Sequence, residues 1–305
     1  SFRARLESPP RTVLPAPPAR ERRRATSTFT ADGYRRAVDD VRAAIRRGDI
    51  FQANLSQRWR LPLRDAHAQV LAFDEALRAE TPAPFAATLC LGDHAVLSAS
   101  PELFLRRRGR EIETRPIKGT RPRGATPMED ATLAKELEAS EKDRAENVMI
   151  VDVLRNDLGR VCESGSVRVP ELCALERFPQ VWHLTSTVLG TQRAGLGAFE
   201  LLHACFPGGS ITGAPKIRAM ELLESLEPVR RHLYTGAIGW IGWDGDADLN
   251  IAIRTAVATP RALYWHAGGG ITADSDPDAE YRESLAKAEG LRLALGRVVG
   301  EVRLD

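Results

Sequence analysis

The chain has 305 residues, a formal net charge of +2, 28% charged and 43% hydrophobic residues. That balance describes a soluble globular protein long enough to bury a large core. The four cysteines (Cys90, Cys162, Cys173, Cys205) are scattered, with no C-x-x-C and no histidine at zinc-ligand spacing. A disulfide framework and a structural zinc site are therefore not expected, and the cysteines read as small buried residues in a reducing cytoplasm. No apolar run has the length to cross a bilayer and no signal-peptide core is read, so neither a membrane nor export is expected.

Residues 1–30 hold seven arginines, five prolines and two acids. Such a stretch cannot bury enough apolar surface to fold and reads as a Pro/Arg-rich linker or mobile arm. The initial serine suits a fragment of a longer or fused protein. No interleaved aromatics or nucleic-acid module follow, so nucleic acid is not expected as a partner. The folded domain is expected over residues 31–305.

From Ala31, Tyr34, Val38, Val41 and Ile45 share one helical face, with Gly48 placed to cap it. The stretch "IFQANLSQRWRL" alternates like a strand. Residues 84–115 read as strands and a hairpin turning at Gly109. One long helix is expected from Met128 to Leu158, stopped by Gly159. Short strands at "SVRVPEL" and "VWHLTSTVLG" lead to a helix at Ala198–Cys205, and "FPGGSITGAPK" is a glycine-rich loop entering another helix. "YTGAIGWIGWDGDADLNIAIRTAVAT" and "ALYWHAGGGIT" read as antiparallel strands before a last helix at Pro277–Gly296. Pairs of strands between helices favour an α+β fold with large antiparallel sheets over a doubly wound one.

Several groups are chemically notable. Asp143 and Glu146 stand three apart, and Glu146 shares its face with Ile150 and Val153, where a carboxylate must be paired, protonated or bound to a cation. Glu280 and Glu283 repeat that spacing one turn before Lys287; an ordinary Glu283–Lys287 surface pair accounts for them equally well. If the two helices face one cavity, their carboxylates suit Mg²⁺. Arg254 lies in an apolar run and wants a carboxylate or phosphate. Glu102, alone among apolar residues, has the setting of a general acid. His183 suits a satisfied core position as readily as a catalytic one. The turns at Gly213–Ala214 and Gly268–Gly270 fit neither the P-loop nor the dinucleotide pattern and are read as tight turns or anion cradles. Finally, the chain has five lysines against thirty-eight arginines. Lys118, in "RPIKGTRPRG", occupies a position where arginine would keep the charge but could not give up a proton and act as an amine nucleophile.

Together these stretches resemble the chorismate-utilising enzymes: anthranilate synthase component I, aminodeoxychorismate synthase component I, and the isochorismate and salicylate synthases. "GDIFQANLSQRW", "SASPELFL", "TRPIKGTRPRG", "SEKDRAENVMIVDVLRNDLGRV", "VWHLTSTV", "FPGGSITGAPKIRAMELLESLEP", "YTGAIGW", "IAIRT" and "AGGGITADSDPDAEYRES" follow the family's order across nearly all of residues 31–295. The resemblance implies two large antiparallel sheets packed orthogonally between helical layers. It also implies Mg²⁺ held by Glu146 and Glu283 with Asp143 and Glu280 around them, and an enolpyruvyl carboxylate clamp of Tyr234, Arg254 and Gly270. Gly119, Thr120 and His183 would line the ring pocket, with Gly269, Gly213 and Ala214 also against substrate. Glu102 would protonate the departing C4 hydroxyl.

Lys118 narrows the expectation. Anthranilate synthases read P-I-A-G-T at this position, and the aminodeoxychorismate branch reads P-I-K-G-T, as here. "GSITGAPK" agrees with that branch. The resemblance then implies a covalent Lys118 adduct at ring C2, ammonia addition at C4, and release of 4-amino-4-deoxychorismate, which feeds 4-aminobenzoate and folate or a specialised aminobenzoate-derived metabolite. The alternatives are anthranilate synthase, another chorismate enzyme, or a silent chorismate-binding subunit. None of the cysteines has a glutaminase setting, so the ammonia source is expected to be a separate or fused glutamine amidotransferase.

Overall fold

The computed structural model describes residues 22–178 and 181–305. In chain order the first half forms β1 (Arg22–Ser27), α1 (Ala31–Arg46), β2 (Gln52–Pro62), α2 (Val70–Glu80), β3 (Phe85–Cys90), β4 (Ala95–Ser100), β5 (Leu103–Arg108), β6 (Glu111–Arg115), β7 (Ile117–Pro122), α3 (Pro127–Ala139) and α4 (Glu141–Gly159). The second half adds β8 (Arg168–Arg177), β9 (Val181–Thr191), α5 (Ala198–Cys205), β10 (Gly213–Ala214), α6 (Lys216–Leu226), β11 (Ala237–Ile241), β12 (Ala247–Ile251), β13 (Thr255–Ala258), β14 (Ala262–Ile271), α7 (Pro277–Val299) and β15 (Glu301–Leu304). One sheet has the order β15-β1-β2-β14-β13-β4-β3 with β10 beside β2; the other runs β11-β12-β5-β6-β9-β7 with β8 beside β9. All pairings are antiparallel except β1 with β15. The expected α+β architecture is the one observed.

Local chemistry explains most boundaries. Thr30 caps α1 by accepting from the Gly33 N–H, and Tyr34, Val38 and Val41 are buried along one face. Gly48, at φ +80°, takes the left-handed conformation that ends the helix. The β2–β14 ladder runs unbroken from Pro62 opposite Ala262 to Ala53 opposite Ile271, and Trp59 and Trp265 stack across it with ring centroids 6.2 Å apart. Phe73 and Leu77 of α2 and Leu291 and Leu295 of α7 pack on this sheet. Val151 and Leu158 of α4 and Leu201 of α5 pack against Phe104, Leu105, Ile112 and Val188 of the other. The sheets meet where Val96, Ile238 and Ala252 pack together. No helix among the described residues is long and apolar enough to cross a membrane.

The structure corrects several expectations. The single helix of residues 128–158 is two, broken at Ser140, whose backbone turns to ψ 102° and whose side chain caps α4 by accepting from the Asp143 N–H. Among the described residues regular structure is already present before Ala31, at Arg22–Ser27: β1 pairs with β15, Ala25 facing Leu304, and Ala25 is fully buried. The rest of the expected arm, residues 1–21, lies outside the described residues. Cys90 is exposed, unlike the other cysteines, because it ends β3 at a sheet edge. Arg254 is not within a strand; it links β12 to β13 at φ +48°, a backbone conformation that costs a non-glycine residue and is found where a site requires it.

Candidate active site

Lys118 owes its aim to a bulge. β7 pairs Ile117 with Thr185 and Thr120 with His183, so three steps on β7 match two on β9. The extra residue, with Gly119 at φ +87°, turns the strand. A Cβ on Gly119 would lie 2.9 Å from Leu137 and 3.0 Å from the Asp143 Cβ, so only glycine lets β7 lie against α3 and α4. Lys118 points into a cavity of about 580 Å³ walled by β2, β7, β14, α4 and α7. Its Nζ sits 3.3 Å from where a Gly270 Cβ would be.

Glu102, Gly119, Thr120, Asp143, Glu146, His183, Tyr234, Arg254, Gly270, Glu280 and Glu283 line the same cavity. Gly269, Gly213 and Ala214 do not line its wall, contrary to expectation. Gly213 and Ala214 are spent on the short pairing of β10 with β2. Gly269 lies behind the carboxylates, where a Cβ would meet Glu280 at 3.0 Å and Glu283 at 3.3 Å; it leaves those side chains room.

Burial sets the charges. It pushes the Lys118 amine below its usual range, against the pull of the Glu146 carboxylate. Burial lifts Glu102 to about 7, with Ser210, Lys118 and the Ile117 backbone acting the other way. His183 is driven by burial down to about 4 and stands 2.8 Å from the Thr120 hydroxyl, so it is a neutral hydrogen-bonding wall at ordinary pH. Tyr234 is pushed by burial up to about 12, remains a neutral phenol, and stacks on His266 with centroids 4.8 Å apart. Arg254, largely desolvated, has no ion-pair partner among the described residues, so its guanidinium is free to take an anion from the cavity.

The carboxylates converge from α4 and α7. Glu146 and Glu280 are both raised by burial. Burial also raises Glu283, but Lys287, Lys142 and Lys118 together outweigh it and the net shift is downward. The Glu283–Lys287 pair exists, at 2.6 Å, and it faces the cavity, so the surface-pair and site readings both describe it. Asp143 is held by Arg121 at 3.2 Å. Glu280 accepts from the Ser275 hydroxyl through Oε1, while its buried Oε2 has no hydrogen-bond partner. No ready-made cluster of three metal-ligating side chains occurs among the described residues. The donor set nevertheless fits a hard divalent cation: carboxylates only, one with an orphaned oxygen, in a cavity with room for substrate and water oxygens.

Sequence reasoning did not single out Lys142, Ser210, Asn54 or His266, which also line the cavity. The signal for Lys142 was its scarcity as a lysine.

The chorismate binding enzyme family matches residues 3–292. Aminodeoxychorismate synthase component 1 of Bacillus subtilis is 46% identical over 289 residues, 93% of this chain and 61% of that protein. Anthranilate synthase component 1 of Streptomyces coelicolor is 47% identical over 273 residues, 89% of this chain and 53% of that protein. The crystal structure of anthranilate synthase component I from Streptococcus pneumoniae superposes with a TM-score of 0.83 at 35% identity, covering 95% of this chain and 64% of the other. The chain thus spans about three fifths of the length of the curated relatives it matches, and overall identity does not separate the two activities.

Proposed function

The chain belongs to the chorismate-binding enzymes, and we propose that within this family it replaces the C4 hydroxyl of chorismate by ammonia through a covalent Lys118 adduct, giving 4-amino-4-deoxychorismate. The observation that carries this reading is Lys118 itself: a lysine in an arginine-rich chain, aimed by a bulge into the cavity and desolvated so that its amine sheds a proton more readily.

In this reading the Nζ lone pair bonds to ring C2, the ring double bonds shift, and the C4–O bond breaks. Glu102, protonated up to about 7, gives its proton so that the hydroxyl leaves as water. The adduct's nitrogen stays protonated as a secondary ammonium. Ammonia bonds to C4, the double bonds return, and the C2–N bond breaks with its electron pair going to nitrogen, which restores Lys118 as a neutral amine. The new C4 ammonium gives a proton back to the Glu102 carboxylate. Arg254 and Tyr234 hold the enolpyruvyl carboxylate, Arg254 by charge and Tyr234 as a neutral donor. Thr120 and His183 bound the ring. Mg²⁺, held by Glu146 and Glu283 with Glu280 beside them, would supply a positive anchor for the ring carboxylate. The pairing of Asp143 with Arg121 favours Glu280 over Asp143 as the third oxygen donor. Ammonia comes from a glutamine amidotransferase subunit or fused domain, and the protein acts in the cytoplasm on the route to 4-aminobenzoate and folate.

The test is a product assay with chorismate, Mg²⁺ and concentrated ammonium near neutral pH, where part of Glu102 keeps its proton and mass action still supplies free ammonia, read by mass spectrometry. A product that keeps the enolpyruvyl group and exchanges hydroxyl for amine supports the reading. Anthranilate with pyruvate refutes it and leaves the family intact.

A further inference from the structure

Three of the five lysines, Lys118, Lys142 and Lys287, line the same cavity. Lys118 and Lys287 have evident partners or tasks; Lys142 needs its own explanation. Its Nζ lies 4.0 Å from Glu146 Oε1 and 3.7 Å from Glu280 Oε1, so one ammonium faces carboxylates from both α4 and α7. Helix stability does not account for it. Lys142 is in the first turn of α4, between Glu141 and Asp143, at the end where the helix dipole disfavours a cation. A lysine four residues before its glutamate is also the weaker order for such a pair. Nor is a bare positive charge the requirement, because arginine supplies charge almost everywhere else in this chain. An arginine fork would grip a carboxylate in two places, whereas an ammonium is a compact charge on a flexible stem. The Lys142 side chain is 54% exposed, while those of Glu146 and Glu280 are 14% and 4% exposed. It can withdraw into solvent without repacking anything, and they cannot.

We propose that Lys142 is a positioning residue: a tethered cation that holds Glu146 and Glu280 toward each other across α4 and α7 and gives way when a divalent cation binds there. The proposal rests on the Mg²⁺ reading of these carboxylates. Lys142 keeps two buried acids from repelling one another, and the divalent ion replaces its single charge. Because the lysine competes for the same oxygens, it also lowers the affinity for the ion.

The experiment uses the full chain with Mn²⁺ as the probe. Free Mn²⁺ is followed by electron paramagnetic resonance, and melting is measured separately in the presence of chelator. Lys142→Gln is expected to bind Mn²⁺ roughly three- to tenfold more tightly and to melt lower in chelator. Lys142→Arg, whose guanidinium does not let go, is expected to bind more weakly than wild type. A merely repulsive neighbour would leave Lys142→Arg like wild type. That result, or unchanged Mn²⁺ affinity in Lys142→Gln, overturns the proposal. Glu146→Gln and Glu283→Gln lose Mn²⁺ if the carboxylates are the metal site, whether or not Lys142 competes. If wild type shows no saturable Mn²⁺ uptake, or these two variants retain it, the metal reading itself falls.

Discussion

Burial moves Lys118 down and Glu102 up, and the two shifts suit opposite tasks: an amine that must lose a proton and an acid that must keep one. In the proposed covalent route, Lys118→Arg preserves the positive charge and much of the reach but could not form the adduct. Turnover should fall on the order of 10³-fold or more, while chorismate affinity by calorimetry changes only a few-fold. Retained amination in that variant would rule out the covalent route. Glu102 has a consequence for stability as well. Its carboxyl is lifted from 4.5 to about 7 on folding, so between those values the folded chain binds a proton that the unfolded chain has released. Its contribution is therefore fully present below the unfolded value and is lost as pH rises through about 7. Glu102→Gln carries no charge to bury. It should gain stability over wild type mainly above neutrality, on the order of 3 kcal/mol at most, and little at acid pH. Urea unfolding of both proteins at about pH 5 and about pH 8 measures this; an equal difference at the two values would contradict the linkage.

At the scale of elements, the boundary at Ser140 places the acidic end of α4 beside β7. The sequence "SEKD" carries the cap signature, a serine three residues before an acid, but good helix formers on both sides hide it within a continuous helical pattern. Ser140→Ala removes the acceptor for the Asp143 N–H. The expected loss is about 1 kcal/mol, read as a melting temperature lower by about 2–4 °C. Its effect on turnover should exceed that of Thr30→Ala, which removes the equivalent cap of α1 away from the cavity; equal effects would deny α4's first turn its part in the site. Elements with strong local patterns were legible: α1 from its apolar spacing, the β5–β6 hairpin from Gly109, and the break before α6 from its glycines and proline. The bulge at Lys118 was not, because a bulge is defined by the partner strand's register and not by its own residues. Arg254 was misjudged for a similar reason, since its apolar neighbours are shared by a strand and by the turn it actually occupies.

For the whole molecule, what escaped the sequence is what depends on distance along the chain. β15 has alternating Val302 and Leu304, but four residues do not declare a strand, and its partner β1 begins 279 residues earlier. The cavity is equally non-local. Its wall takes Lys118 and His183 from one sheet, Ala267, Gly268 and Gly270 from the other, and acids from two helices. Motif order could nominate those residues, but only the packed sheets bring them together. A ligand spanning the cavity therefore ties together both sheets, α4 and α7, and should stabilise the fold as a unit. At a chorismate concentration about 100 times its dissociation constant, with Mg²⁺ present, linkage gives about 2.7 kcal/mol, or a rise in melting temperature of about 5–10 °C. Scanning calorimetry should show one transition moving as a whole. Glu146→Gln should remove the Mg²⁺-dependent part of that rise and leave the ligand-free transition within a few degrees of wild type. If chorismate shifts only a minor early transition, the sheets are not joined through the site, and the cavity belongs to one layer alone.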